Sequence, residues 1–263
     1  MLLYGIAENA QLLFLLFTRV YLMLRTAPLV SGQGLPGIAR IGLSFMAAWV
    51  VFPWIQEAGY PIPDNALAYL LLIVGEGLVG MIMGMFITLV FTTFQTAGQF
   101  FSLQMGFGAS QVFDPLSQVE IPLVGQFFNL VAMFVFLATE GFNKLFLTGV
   151  LRSFKAIRAV DVLQANEELA GLMIFGLSSL FEQALIISLP ILGTLVLVNI
   201  SLGLMAKAAP QMNLLMLGFP AAILIAFTIM FLTLPLIIGA FDRIIQGGYE
   251  VLHDLFTIYG DMQ

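Results

Sequence analysis

The chain alternates between very long uncharged stretches and a few short polar interruptions. Gly77 to Phe113, Ile121 to Thr139 and Ala208 to Phe241 contain no Asp, Glu, Lys or Arg at all. Grouping the apolar positions predicts about six hydrophobic segments. They are Ala10–Val30, Ile41–Trp54, Ala66 to Met105, Ile121 to Leu151, Leu169–Ala206 and the uncharged region from Ala208 to Phe241. The second segment is short of the roughly 20 residues that a simple span requires, which predicts a buried, tilted or re-entrant helix. The third is too long: at about 1.5 Å per residue it reaches about 60 Å, twice the hydrocarbon thickness. Pro190 in the fifth segment is expected to kink or split it, since proline removes a backbone donor. The fifth and sixth segments turn back through GLMAKAAPQMNLLMLGFP (Gly203 to Pro220) and read as a helical hairpin with bent arms. The tail from Asp242 is amphipathic and reads as surface-lying. Asp64-Asn65 is placed to cap the third segment, and Asn166-Glu167-Glu168 to start the fifth.

The third segment has internal order. Gly77, Gly80, Gly84, Thr88, Thr92, Gln95, Gln99 and Ser102 recur at intervals of three and four residues, which places them on one helical stripe. Phe86, Leu89, Val90, Phe94 and Phe101 lie off it. Glycines on a stripe admit a second helix at close range, whereas glutamines and threonines in an apolar setting require hydrogen-bond partners or water. Two readings stand side by side: helix–helix packing throughout, or packing at the start and an aqueous path lined by Gln95, Gln99 and Ser102 near the end.

The apolar periodicity stops between Gln104 and Pro122. Gly106 and Gly108 free the backbone there, and Asp114-Pro115 signals a turn or a helix start. Phe107, Val112 and Phe113 are nonetheless apolar, unlike a solvated connection. The segment is either a loop packed on its own domain or a flexible element that inserts into something else.

Composition excludes a water-soluble fold. Hydrophobic residues make up 60% of the chain and charged residues 9%, and the mean hydropathy is +1.04, against roughly 25% charged residues in a soluble domain. This is an all-α integral membrane protein. With no cysteine and a single histidine, His253 in the polar tail, thiol chemistry and Cys-ligated metals are excluded. No metalloprotease, nucleophile-elbow, Walker or dinucleotide-binding pattern is present, so the chain reads as a non-enzyme without cofactor. Methionines such as Met81, Met83, Met85, Met212 and Met216 read as adaptable packing. The N-terminus lacks a basic n-region and a small-residue cleavage site, so no cleaved signal peptide is expected.

The few charges inside apolar segments matter individually, because a charge at membrane depth is costly. Arg19 and Arg25 fall on different helical faces. At least one of them needs burial against a partner, a carbonyl cluster or water, and snorkelling near a helix end suits Arg25 better than Arg19. Glu76 sits beside the stripe and reads as paired. Glu140 and Lys144 have the spacing of an intrahelical ion pair. Glu182 lies within the fifth segment, and Lys207 and Gln211 mark its polar turn. Positive charges fall on both sides of a six-span model, which leaves orientation open.

Three stretches carry a resemblance: RVYLMLRTAPLVSGQGLP (Arg19 to Pro36), LQMGFGASQVFDP (Leu103 to Pro115) and GLMAKAAPQMNLLMLGFP (Gly203 to Pro220). They resemble the FliR family of the flagellar type III export apparatus, related to the SctT/SpaR-type injectisome subunits, in the family's order and over essentially the whole chain. Lys207 stands where many members carry arginine, and the histidine that often follows the glycine of the fourth segment is absent from Glu140-Gly141-Phe142-Asn143. The resemblance implies a core export-gate subunit that assembles with FliP and FliQ homologues into a helical protein-conducting pore, with an FlhB homologue at its entrance and exported flagellar proteins as substrates. It implies an inner-membrane location in the flagellar basal body. It also implies a division into a FliP-like part (1–160) and a FliQ-like hairpin and tail (161–263). The segment 106–122, with Gly106, Phe107, Gly108, Val112, Phe113, Asp114 and Pro115, then matches the family's pore plug. An injectisome subunit is the near alternative. A secondary transporter is the distant one, disfavoured because no inverted repeat is visible and the charges do not converge on one midplane site.

Overall fold

The computed structural model describes residues 2–28, 36–106, 123–156, 166–209, 211 and 214–260. Every regular element among them is helical. In chain order these are α1 (Leu2–Thr26), α2 (Gly37–Ala58), α3 (Ala66–Gln104), α4 (Leu123–Ala138) and α5 (Gly141–Lys144). A π-helix (Leu145–Arg152), α6 (Ser153–Ala156), α7 (Asn166–Ala208) and α8 (Leu214–Gly260) complete the chain. Four helices are long and apolar enough to cross a membrane: Gly37–Glu57, Ala66–Gln104, Ile174–Ala208 and Met216–Glu250.

Local signals set several ends. Asn65 caps α3, its Oδ1 accepting the Leu67 N–H at 3.0 Å. Gly59 closes α2 in a left-handed conformation with φ of 70°, a backbone region in which glycine lacks the usual steric penalty. α7 is helical from Asn166, the first described residue of that stretch, onward.

Tertiary packing overrides other local signals. The second segment is no short re-entrant piece: α2 has 22 residues and runs through Pro53. Ile55, beyond the proline, is 1% exposed, and the Gln56 amide donates to Asn9 Oδ1 of α1 at 3.0 Å. These contacts hold the helix past the lost backbone bond. α7 likewise continues through Pro190, with Ile187, Ile191 and Leu195 buried on both sides of it. The tail is not a separate surface element, because α8 continues through Pro220, Pro235 and Asp242 to Gly260. Phe241 and Ile245 are buried, and the Tyr249 hydroxyl donates to the Gly141 carbonyl at 2.6 Å.

The fourth segment is broken rather than continuous. Glu140 has φ of 56°, which ends α4 and takes Glu140 out of the helix that holds Lys144. The expected intrahelical ion pair does not form among the described residues; Glu140 instead precedes the next helix, its backbone carbonyl accepting the Lys144 N–H at 3.1 Å.

The helices pack as two units. The first comprises Met1–Leu89, Glu140–Gly176 and Gln246–Gln263. Its core joins Leu15, Leu16, Val20 and Met23 of α1 with Val51 and Ile55 of α2 and Met83 and Phe86 of α3. The second comprises Val90–Thr139 and Leu177–Ile245. It is organised on phenylalanines: Phe94 and Phe241 centroids are 4.1 Å apart, Phe128 and Phe241 5.5 Å, and Phe101 and Phe128 5.4 Å.

Candidate functional site

In the first unit α1 lies on the glycine face of α3. A Cβ at Gly77 would stand 2.6 Å from Leu22 Cδ1, one at Gly80 would strike the Arg19 carbonyl, and one at Gly84 would meet the Met23 carbonyl at 2.5 Å. The contact continues at Thr88, whose hydroxyl donates to the Thr26 carbonyl at 2.8 Å. Backbone fills the space above Gly80, and above Gly84 the Thr26 hydroxyl is nearest with the Met23 carbonyl behind it, so neither position has room for a side chain.

This approach brings together two buried charges. Arg19 is 1% exposed and Glu76 is fully buried, and Arg19 Nε lies 2.5 Å from Glu76 Oε2. Arg19 Nη1 donates to Ser153 Oγ at 3.1 Å, and its guanidinium sits 3.9 Å from the Phe154 ring centroid. The Tyr60 hydroxyl donates to the second carboxylate oxygen, Glu76 Oε1. Ser153 closes the π-helix and donates its hydroxyl to the Val150 carbonyl at 2.8 Å. A planar, five-donor cation suits this role: one edge binds carboxylate and hydroxyl while the face stacks on an aromatic ring. The expected partner of Arg19 is thus Glu76. Tyr60, Ser153 and Phe154 complete the cluster without any sequence signal of their own, and the π-helix was not foreseen either. Arg25, by contrast, is exposed.

The later stripe residues belong to the second unit. Gln95 meets α4 at a glycine crossing: a Cβ at Gly125 would stand 2.9 Å from the Gln95 carbonyl, and one at Gly98 would stand 2.6 Å from Gly125 Cα. Thr92, Gln95 and Gln99 are half-buried, whereas Ser102 is buried. At the end of α3, Gln104 Oε1 accepts from Asn199 Nδ2 of α7 at 3.2 Å. Gly106 has φ of 89°, and a Cβ there would collide with the Phe219 ring of α8. Both conformation and space therefore require glycine. Phe107, Gly108, Val112, Phe113, Asp114 and Pro115 lie outside the described residues.

Glu182 and Lys207 are exposed on α7 and Gln211 is exposed in the turn after it, so the structure does not gather them with Arg19 and Glu76. Among the described residues no group of three or more His, Asp or Glu is arranged to hold a metal ion.

Four helices long and apolar enough to cross a membrane, in an entirely helical set of described elements, define a multi-pass, all-α membrane protein. The chain belongs to the bacterial export proteins, family 1, whose model matches residues 10–248. It is similar to the flagellar biosynthetic protein FliR of Bacillus subtilis (strain 168), at 29% identity over 249 residues, 94% of this chain and 95% of that protein. It is also similar to the protein of the same name from Borreliella burgdorferi, at 28% identity over 242 residues, 92% of this chain and 89% of that protein. The Escherichia coli (strain K12) FliR is 27% identical over 241 residues, 91% of this chain and 90% of that protein.

Proposed function

We propose that this chain is a structural, non-enzymatic core subunit of the flagellar type III protein export gate in the inner membrane at the basal body. It forms a protein-conducting pore with FliP and FliQ homologues, and an FlhB homologue sits at the entrance. Exported flagellar proteins are its substrates. In this reading residues 1–160 are the FliP-like part and residues 161–263 the FliQ-like hairpin and tail.

The observation that carries the proposal is the outward surface of α7 and α8. Each contains a 35-residue apolar span, of whose most apolar stretch only 22% and 17% is buried, against 56% for α3. At about 1.5 Å per residue such a span reaches about 52 Å, against a hydrocarbon layer of about 30 Å. Covering it by tilt alone would need about 55°, beyond the range of about 0–40° seen for membrane helices. Other protein chains supply the cover more readily than lipid does. The relatives' name, flagellar biosynthetic protein FliR, supports reading those chains as further subunits of the flagellar export apparatus.

Within that pore the segment 106–122 closes the resting channel. A conduit for unfolded protein must be occluded against ions, and a narrow apolar constriction resists wetting. Phe107, Val112 and Phe113 supply the apolar groups, and the Gly106–Phe219 contact fixes where the segment leaves α3.

Co-expression tests the assembly. Alone, the chain is expected to aggregate or be degraded, and with its FliP and FliQ homologues it is expected to yield a stable hetero-oligomer. A solitary, monodisperse and equally stable monomer would overturn the proposal and favour a transporter.

A further inference from the structure

From the outward face of α7 we infer that Glu182 is a docking point for an Arg or Lys carried on an apolar helix of a different subunit. This rests on the export-gate reading above and adds a specific contact to it.

Ser178, Glu182, Leu185, Leu189 and Gly193 are all exposed and follow each other at intervals of four, three, four and four residues, which places them on one face. Phe181, Leu185 and Ile186 around the carboxylate are 50%, 45% and 51% exposed. Glu182 is therefore a charge flanked by exposed apolar side chains, with Ser178 one turn away. Glu76, an acid in the middle of another span, has Arg19 and Tyr60. Glu182 has no ion pair or hydrogen bond with any described residue.

No placement in a bilayer relieves this face. If the hydrocarbon layer begins at Ile174, Glu182 lies about 12 Å inside it, at about 1.5 Å per residue, and an unpaired carboxylate there is costly. If the layer begins after Glu182, then Ile174, Phe175, Leu177 and Phe181, each at least half exposed, are left in water. A single occupant satisfies both demands: an apolar helix to cover the hydrophobes, with one cation to meet the carboxylate. Ser178 and Gly193 give it room, since a Cβ at Gly193 would have nothing within 4 Å. A second copy of this chain fits poorly, because its own matching face offers a carboxylate to a carboxylate.

The test uses the complex isolated from membranes of cells co-expressing the homologous export-gate subunits. Glu182→Gln, nearly isosteric, is expected to lower recovered complex at least tenfold at unchanged membrane level of the chain. Glu182→Asp should stay within about twofold, since every tenfold in recovery corresponds to a modest energy. Glu182→Lys should abolish recovery. A photo-crosslinking residue at position 182 should capture a different subunit, and reversing the captured Arg or Lys to Glu should restore assembly of the Glu182→Lys chain. Wild-type recovery of both Glu182→Gln and Glu182→Lys overturns the inference alone, as does a crosslink only to lipid or to a second copy of this chain. If the wild-type chain itself purifies without other subunits, the export-gate reading fails first.

Discussion

Arg19 Nε and Glu76 Oε2 lie 2.5 Å apart with both side chains essentially removed from solvent, although 57 positions separate them in the chain. The pair joins α1 to α3 and, through Ser153 and Phe154, ties both to the segment that follows the π-helix. Removing one partner leaves the other charge buried and uncompensated.

Arg19→Ala or Glu76→Ala is therefore expected to cost about 3–5 kcal/mol, the range for breaking a buried pair. The double substitution Arg19→Met with Glu76→Met should cost less than the sum of the two single changes. Thermal unfolding of the detergent-solubilised complex measures both. Equal melting of wild type and Glu76→Ala would mean that the pair contributes nothing.

The glycine crossings make a second prediction, with internal controls. Gly80→Val and Gly98→Val should each destabilise the complex by about 1–3 kcal/mol or prevent packing, as overpacking does. Gly37→Ala and Gly42→Ala on α2, where an added Cβ meets nothing within 4 Å, should be neutral or stabilising by about 0.5–1 kcal/mol. A uniform response across the four variants would show that helix propensity, not helix approach, decides.

Because the chain contains no cysteine, single cysteines report accessibility without background. Cysteine at Gln95 and Gln99 should react with a small water-soluble thiol reagent in the assembled complex, and cysteine at Phe94 and Phe101 should not. Ser102→Cys should follow Phe101, since Ser102 is 1% exposed. Protection at all five positions would remove the aqueous path from α3.

Occlusion by the segment 106–122 predicts a leak. Shortening the segment, or replacing Phe107 and Phe113 with Ser, should let ions pass through a complex that still assembles. Gly106→Val should act differently and reduce assembly, because it strikes Phe219 and strains a backbone at φ of 89°. Wild-type background conductance from an assembled, shortened complex would show that the segment is packing only.

The helical class, the membrane setting and the family were all legible from one dimension, because each is a local or additive property. Charge scarcity sums over the chain, the glycine stripe depends on spacing along α3, and Asn65 caps the helix that it immediately precedes. Even the demand of Arg19 for a buried partner followed from its depth in an apolar segment. Where local signals competed with packing, tertiary structure decided. The second segment reads as ending at Trp54 and the fifth as broken at Pro190, yet helices pass through Pro53 and Pro190 because buried neighbours hold them. Glu140 and Lys144 read as a pair, yet Glu140 is itself left-handed and stands outside the helix that holds Lys144. The identity of the groups around Arg19 lay beyond the sequence for a simpler reason. Tyr60, Ser153 and Phe154 are brought there by the close approach of α1 and α3 and by a π-helical turn, and no periodicity records which distant residues such an approach will place side by side.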